Sequence, residues 1–356
     1  MQTEKQLIWP MVTVMIATFN SAKILERVLI AIGNQDYPRE KLEILAVDGG
    51  STDDTRKIAA SYGCRILDNP KTEPVNAKLI GLRSATGQYY ITLDHDEVMV
   101  NTSSIRLKVE ALMNNPACHA AICSGYKSPK DYPLLNQYIS EFGDPLSLFL
   151  YHYSKGVAVQ EKLLRRYKIL RDERDYMVVD FSNVKKQPLY ELICAGTMID
   201  RAFFLKMFPN FDSAAVVAQL FYIMLEHGYT QMIFIKNDSL LHYSADSLRA
   251  YFPKLKWRIC NNVHFPEKGE LGYTGRVQYQ RNIRYKKYLF IPYAFTIIFP
   301  LCEGIVLALK RKNPIFMMHP IFCLYVGVEI LWQYALKLMH ITPAFRSYDG
   351  KKKIER

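Results

Sequence analysis

Four short apolar runs alternate with helix-like segments over residues 11–100, and this alternation restricts the fold more than any other feature of the chain. The runs are "MVTVMIAT", "LEILAVD", "CRILDN" and "GQYYITLD", and each is typical of a buried strand. Helix-like segments such as "SAKILERVLIAIGNQ" and "EPVNAKLIGLRSA" lie between them. Strands that alternate with helices predict a mostly parallel, doubly wound α/β sheet.

Polar clusters follow three of these runs, at residues 18–20, 48–51 and 94–97. In a parallel sheet, ligands bind beyond the carboxyl ends of the strands, so the three clusters are expected to converge on one site. Side chains two apart in an extended segment point the same way, which lets Asp94 and Asp96 face one ligand while His95 faces elsewhere. A D-x-D pair more often marks a solvated turn. Here it ends an apolar strand, and we favour a site for Mg²⁺ or Mn²⁺.

Composition restricts the partners of the chain. Its 356 residues carry a formal net charge of +12, with basic clusters at 162–171, 281–287, 310–312 and 351–353. Such a balance predicts an anionic partner, which is a phosphorylated ligand, an acidic membrane surface or a nucleic acid. The sequence contains no recognisable nucleic-acid-binding motif, so nucleic acid is the weakest of the three. The seven cysteines form no CxxC pair, which argues against a zinc site or a disulfide framework. The N-terminus lacks a signal-peptide core, so we expect the catalytic part to be cytosolic.

Two apolar stretches near the carboxyl terminus, residues 288–309 and 314–339, are each long enough to cross a hydrocarbon core of about 30 Å. Glu303, His319 and Glu329 interrupt them, so two buried helices of a soluble domain are the alternative. The flanking basic clusters and aromatic residues favour membrane association, and they leave open whether the segments span the bilayer or lie in its interface. Basic residues occur on all sides, so the positive-inside rule selects no orientation.

The segments "VTVMIATFNSAKILERVLIAIGNQDYP", "LEILAVDGGSTDDT" and "NAKLIGLRSATGQYYITLDHDE" together resemble the nucleotide-sugar-binding half of family 2 glycosyltransferases, which have the Rossmann-like GT-A fold. The resemblance covers residues 11 to about 100 and resumes at residues 192–248. It implies the inverting transfer of a sugar from a nucleotide diphosphate sugar, with Mn²⁺ or Mg²⁺ as cofactor.

The resemblance also implies roles for individual residues. Ala17 and Phe19 would line the nucleotide pocket, Asp48 would lie beside the base, and Lys78 would bind the diphosphate. Asp94 and Asp96 would bind nucleotide and metal, and His242 matches a histidine that can join the metal site. From the residues alone, Lys78 is equally well explained as part of a solvated helix face, and His242 as a structural histidine.

The chain departs from the family pattern at two places. Many members have a second acid after the position of Asp48, whereas this chain has Gly49. Many also have a Glu-Asp pair where this chain has "VVAQ", residues 216–219. That aspartate is the base that takes the proton of an attacking hydroxyl. Either another acid replaces it, for which Asp212, Glu191 and Glu226 are the candidates, or the acceptor is a polyprenyl phosphate, whose oxygen is already charged. Loss of activity is a third option.

A further basic segment, "SLRAYFPKLKWR", follows His242 and includes Arg249, Lys254, Lys256 and Arg258. Its cations could hold the donor diphosphate or an acceptor phosphate, with Arg258 as the representative candidate. The alternative is a basic amphipathic helix on anionic lipid.

The sequence therefore predicts a GT-A catalytic domain over residues 1–250, with a nucleotide-sugar half at 11–100 and an acceptor half at 101–250. A basic interface segment (251–287), two membrane-associated helices (288–340) and a basic tail (341–356) would follow. The predicted function is transfer of a sugar to a lipid-linked acceptor, either a polyprenyl phosphate or a lipid-linked saccharide, at the cytosolic face of a membrane. The alternative is a non-catalytic subunit that binds sugar nucleotides or lipid.

Overall fold

The computed structural model of the chain describes residues 9–183, 196–209, 213–265, 273–280 and 283–344. Within these ranges, one sheet has nine strands and another has three. The strands, β1 to β12 in chain order, are Val12–Thr18, Leu42–Asp48, Arg65–Asp68, Tyr89–Asp94, Glu97–Met99, Ala120–Ile122, Gly125–Lys127, Lys168–Asp172, Tyr176–Asp180, Met198–Asp200, Gln231–Ile235 and Ser239–His242.

The α-helices of the same ranges are numbered α1 to α16. They are Leu25–Gly33, Thr55–Ser61, Pro74–Ser84, Ser104–Asn114, Leu135–Phe142, Pro145–Tyr151, Val157–Leu164, Arg201–Met207, Ala214–Ala218, Leu220–Glu226, Leu248–His264, Tyr273–Arg276, Ile283–Lys286, Phe290–Thr296, Ile298–Arg311 and His319–Leu338. Side-chain caps fix the starts of several helices. Asp144 accepts a hydrogen bond from the Ser147 amide at the start of α6, for example, and thereby satisfies one of the unpaired amides of the first turn.

The large sheet has the order β3-β2-β1-β4-β10-β6-β11-β9-β8. Strands β3, β2, β1 and β4 are parallel neighbours, with Ala17 opposite both Val47 and Asp94. Strand β10 is antiparallel to β4 and β6, and β9 is antiparallel to β11 and β8. The predicted α/β class is confirmed. The prediction of a mostly parallel sheet needs a correction beyond β4, because β10 enters the sheet from the second half of the chain and runs the opposite way.

Both faces of the large sheet are covered, which explains the uninterrupted apolar sequence of β1. Its residues Val12, Val14 and Ile16 pack with helices α1 and α4 on one face. Met15 and Ala17 pack on the other face with residues of α3 and α10. A strand that is buried on both sides shows no alternation of apolar and polar residues. The parallel half of the sheet is thus a rigid support for the polar residues at its carboxyl edge.

The three-stranded sheet, with the order β5-β12-β7, brings distant parts of the chain to this same edge. Strand β12 is antiparallel to β5, and this pairing sets His242 opposite Glu97. The turn before β12 is tied to α4 by an ion pair, in which Lys108 Nζ lies 2.6 Å from Asp238 Oδ2. Both side chains are buried, with 0% and 1% exposure.

A third apolar cluster joins the middle of the chain to its carboxyl-terminal helices. It contains Tyr138 of α5, Leu148 of α6, Leu255 of α11 and Phe322 of α16. Helix α11 packs against α16 and buries Tyr251, Leu255 and Ile259. The predicted boundary at residue 250 therefore falls inside a helix, and this helix belongs to the packed core and is not a free interface segment.

Among the described residues, one continuous helical segment, Pro314–Leu338, is long and apolar enough to cross a membrane, and a bent pair of helices meets the same criterion only if its halves are taken together. The earlier apolar stretch is not one straight helix. Ile283–Thr296 and Ile298–Arg311 meet at 88°, and at the break Ile297 has a φ of +59°. The first of the two predicted helices is thus a bent pair, and the second is one continuous helical segment. Many large apolar side chains of this region are exposed, among them Ile298, Phe299, Leu309, Ile321, Val328, Leu331, Trp332 and Leu338.

Candidate functional site

Asp94, Asp96 and Glu97 occupy the point where the large sheet passes into the small one. Asp94 is the last residue of β4, Asp96 lies in a two-residue turn, and Glu97 is the first residue of β5. The Glu97 carboxylate accepts a hydrogen bond from the Asp94 amide at 2.8 Å, and the Tyr126 hydroxyl donates to its other oxygen. The carboxyl group of Glu97 therefore holds the turn from inside.

Glu97 is almost fully buried, with 1% exposure. Burial, together with the neighbouring charge of Asp94, raises the pKa of Glu97 to about 8, while Lys78 acts in the opposite direction. The Glu97 carboxyl group is thus largely protonated near neutral pH, which reduces the negative charge that the cluster must accommodate. An acidic residue at the start of an apolar strand was the sequence signal for such an environment.

His242 comes to the cluster from the far end of the chain. Its Nε2 atom lies 3.6 Å from Asp96 Oδ2, and its Nδ1 atom lies 3.0 Å from Ser140 Oγ. The Tyr126 ring stacks on the imidazole at a centroid distance of 4.7 Å. Burial lowers the pKa of His242 to about 4, although Asp96 acts to raise it. The imidazole is therefore neutral at neutral pH, and its contact with Asp96 is not an ion pair under those conditions.

Lys78 projects from α3 into the cluster, where its Nζ lies 3.2 Å from Asp94 Oδ1. Burial acts to lower the pKa of Lys78, but the negative charges of Asp94, Glu97 and Asp96 raise it overall. Only 23% of its side chain is exposed, so the solvated helix face considered from the sequence does not describe Lys78. The lysine is a fixed positive charge beside the three acids.

The chemistry of these side chains fits a hard divalent cation. Burial acts to raise the pKa of Asp96, but His242, His95 and Lys254 lower it overall, so this carboxylate is ionised. Asp94 Oδ1 is buried beside the Lys78 ammonium, 3.2 Å away, which balances its charge. Carboxylates with a neutral imidazole are ligands that Mn²⁺ accepts. Across the described ranges, no set of three or more His, Cys, Asp or Glu side chains is already arranged around a common metal position.

The residues predicted to meet the nucleotide lie along the same sheet edge. Ala17 is buried in β1 between Val47 and Asp94, and Phe19 follows the end of that strand. Asp48 ends β2 with 1% exposure. Its carboxylate accepts hydrogen bonds from the amides of Gly50 and Ser51 and from the hydroxyls of Thr18 and Ser51. It is also paired with Arg56 at 3.2 Å. Asp48 thus organises the turn that follows β2.

Gly49 faces an obstruction that explains the missing second acid. A β-carbon at this position would lie 2.9 Å from Thr72 Cγ2 and 3.3 Å from the Phe19 ring. Thr72 is held there because its hydroxyl donates to the Gly49 carbonyl at 2.9 Å, with its own backbone at a φ of +62°. A larger residue at position 49 must displace this loop, and an aspartate meets the same obstruction.

Replacing Gly49 with alanine is expected to lower the free energy of unfolding by about 1–3 kcal/mol, because an added methyl group in a closely packed place forces the loop to shift. Chemical denaturation of the purified chain measures this. Gly33→Ala is the matched control, since a β-carbon at Gly33 meets open space. Equal stability of the two variants would contradict the steric explanation.

Of the three candidates for a catalytic base, the structure describes Glu226 alone. Asp212 and Glu191 lie outside the described residues. Glu226 is the exposed last residue of α10. Burial is the main cause that raises the pKa of Tyr279, and the charge of Glu226 adds to this effect. Val216 and Val217, at the position of the expected acid pair, pack against the apolar cluster on one face of the sheet. The described residues therefore offer no replacement base among the predicted ones.

Arg258 is directed toward a different group from the one predicted. Its guanidinium lies 3.3 Å from Asp144 Oδ2, at the start of α6. One helical turn earlier, Lys254 donates to the Ser244 carbonyl at 2.7 Å, and its charge lowers the pKa of both Asp96 and His242. Lys254 of α11 thus acts on the cluster, whereas Arg258 is paired with Asp144, and its contact with a phosphate stays a prediction.

Comparison with known proteins relates the chain to glycosyltransferases. Residues 13–174 match the family described as Glycosyl transferase family 2. The chain is 30% identical over 93 residues to glycosyltransferase AglE of Haloferax volcanii, covering 24% of this chain and 31% of that protein. It is 32% identical over 99 residues to the GalNAc(5)-diNAcBac-PP-undecaprenol beta-1,3-glucosyltransferase of Campylobacter jejuni, covering 26% and 31%.

A solved structure, the mannosyltransferase PcManGT from Pyrobaculum calidifontis in complex with GDP-Man and Mn²⁺, aligns over 92% of this chain and 88% of that one. The sequence identity is 18% and the TM-score is 0.49. The family match confirms the resemblance to glycosyltransferase family 2 predicted from the sequence. The chain spans 31% of the length of each of the two relatives described above.

Proposed function

We propose that the protein is a metal-dependent, inverting glycosyltransferase that moves a sugar from a nucleoside diphosphate sugar to a lipid-linked acceptor at the cytosolic face of a membrane. The observation that carries this proposal is the cluster of Asp94, Asp96, His242 and Lys78 at the carboxyl edge of the parallel strands. The cluster combines carboxylates that can hold a metal ion with a lysine that can bind a donor diphosphate. It lies within a chain whose residues 13–174 match glycosyltransferase family 2.

Each of these side chains has a distinct task in the proposed reaction. Asp94, Asp96 and His242 would hold Mn²⁺ or Mg²⁺, and the bound ion would neutralise the leaving nucleoside diphosphate. Lys78 supplies a second positive charge, and a diphosphate would compete with Asp94 for it. Glu97 and Tyr126 fix the backbone of the turn that carries both aspartates. Ala17, Phe19 and Asp48 would face the nucleoside, with Asp48 acting mainly through the turn it organises.

The acceptor is proposed to be attached to a lipid. The exposed apolar side chains of the straight helix and of the bent pair support contact with a bilayer, because a soluble surface rarely presents so many together. The Campylobacter jejuni relative is named for an undecaprenol-linked acceptor. A catalytic base is needed if a sugar hydroxyl attacks, and Asp212, Glu191 and Glu226 remain the candidates. None is needed if a lipid phosphate attacks.

A donor-hydrolysis screen tests the proposal. UDP-, GDP- and dTDP-sugars are incubated with the chain and Mn²⁺ or Mg²⁺, and released nucleotide is measured. We expect one nucleoside diphosphate to appear above the enzyme-free rate, to disappear in excess EDTA and to return when the ion is restored. Undiminished turnover in EDTA would exclude the metal role. Mass spectrometry of the product formed with lipid extracts then distinguishes a sugar linked to phosphate from one linked to another sugar.

The valines at 216 and 217 favour one alternative, a non-catalytic subunit that binds sugar nucleotides or lipid. The same screen separates the two functions. Donor binding without transfer or hydrolysis over a broad acceptor panel would support the subunit.

A further inference from the structure

A partly open cavity of about 420 Å³ lies beside the carboxyl-terminal helices, away from the strand-end cluster. Its walls come from the ends of α5 and α6, from α7 and from the inner face of α15. Apolar walls are provided by Phe142, Leu148, Leu163 and Leu307. The proposed function assigns no role to this cavity.

The rim of the cavity has excess positive charge. Lys162 and Lys310 both line it and are exposed, and neither lies within 4.0 Å of a carboxylate of the described residues. The other charged lining groups are already partnered. Arg311 donates to Glu141 at 2.8 Å, and Glu303 Oε1 lies 3.6 Å from His152 Nδ1. An apolar interior with two uncommitted ammonium groups at its mouth suits an anion that is attached to a hydrocarbon chain.

The cavity also adjoins the surface that we propose to contact a membrane. On α15, the residues Glu303, Leu307 and Arg311 are spaced by four and face the cavity. The other side of the same helix exposes Ile298, Leu301, Ile305 and Leu309. Leu309 of the outer face is the neighbour in sequence of Lys310 on the rim, so a bilayer that contacts this face would adjoin the cavity.

We propose that this cavity binds the phosphate group of a membrane lipid, with Lys162 and Lys310 at the phosphate and Leu163 and Leu307 against the adjoining carbons. Where that lipid is the acceptor, the inference rests on the proposed function. A bulk anionic phospholipid and a polyprenyl phosphate both present this group on an apolar chain, and the vesicles used below distinguish them.

Helix α5 separates the bound phosphate from the transfer centre. Ser140 contacts His242, whereas Phe142 lines the cavity. Residues two apart on an α-helix point about 200° apart, and a helix is about 10 Å wide. A phosphate in the cavity is thus held too far from His242 to attack the donor itself. If the acceptor lipid occupies the cavity, a hydroxyl of its attached saccharide reaches the site.

Vesicle flotation with the full chain tests this proposal. The probes are vesicles of phosphatidylcholine alone, with phosphatidylglycerol added, or with polyprenyl phosphate added. Lys162→Ala/Lys310→Ala is expected to weaken binding to at least one of the two anionic vesicles about 25-fold, because each basic residue near an anionic surface contributes about a factor of five. Leu307→Trp, which fills the cavity without changing charge, is expected to weaken the same binding.

The matched control is Lys57→Ala/Lys206→Ala, which removes the same charge from exposed positions on α2 and α8. Leu163→Trp replaces Leu307→Trp if thermal denaturation shows that the latter is unfolded. Loss confined to one kind of vesicle identifies the lipid and supports the site. The proposal is overturned if the control loses as much binding, or if the folded tryptophan variant binds normally. Donor turnover is measured in a separate assay. A chain without transferase activity can therefore still show, or fail to show, lipid binding at the cavity.

Discussion

Asp96→Asn is expected to reduce sugar transfer, or donor hydrolysis, by at least about a hundredfold, which is the usual effect of removing one group that stabilises developing charge. Asparagine preserves the size of the side chain and removes its negative charge. The Asp96 carboxylate lies 3.6 Å from the neutral imidazole of His242. The surroundings of Asp96 lower the pKa of this carboxylate overall. The proposed metal therefore loses a charged ligand while the turn keeps its backbone contact, in which the Asp96 carbonyl accepts from the Tyr243 amide at 2.8 Å.

The initial rate at saturating donor, measured in parallel with the unfolding temperature, provides the test. Asp175→Asn is a control with the same change of charge, at an exposed position between β8 and β9. We expect the control to retain wild-type activity and both variants to remain folded. Wild-type turnover by Asp96→Asn would remove this residue from the proposed mechanism.

Lys108→Met is expected to destabilise the fold by about 3–5 kcal/mol, the usual cost of removing one partner of a buried ion pair. The Lys108 ammonium lies 2.6 Å from Asp238 Oδ2 and donates to Ser104 Oγ at 2.7 Å. Without it, the Asp238 carboxylate is buried with no counter-charge. The Asp238 carbonyl also accepts from the Ser124 amide at 2.8 Å, so the disturbance reaches the small sheet that positions His242.

Urea denaturation in a mild detergent measures the effect. Arg106→Met, on the same helix, is the matched control. Its ion pair with Asp36 is 2.8 Å long but partly solvated, with 31% and 63% exposure, and we expect a loss below about 1 kcal/mol. The double variant Lys108→Met/Asp238→Asn should recover part of the stability, because it removes the buried charge as well. A loss in Lys108→Met no larger than that in Arg106→Met would show that the buried pair is dispensable.

Much of the parallel half of the fold could be predicted from the sequence, since its signals are local. The apolar runs of β1, β2 and β4 end where their strands end, and the polar residues that follow them do meet at one edge. Gly49 shows the limit of such reasoning. Its departure from the family pattern was visible in the sequence, but its cause, the methyl group of Thr72, lies 23 residues further along the chain.

The sequence by itself determined the α/β class, the position of Asp94 and Asp96 at a strand end, and the apolar character of the carboxyl-terminal region. The tertiary structure alone decided that Glu97 would be buried under Tyr126, that the charge of Lys254 would act on Asp96, and that a cation-rimmed cavity would form behind α5. These features depend on contacts between residues far apart in the chain, such as Glu97 with His242 and Lys108 with Asp238. Such contacts leave no periodic pattern in a sequence, because burial and charge pairing are fixed only when the elements pack.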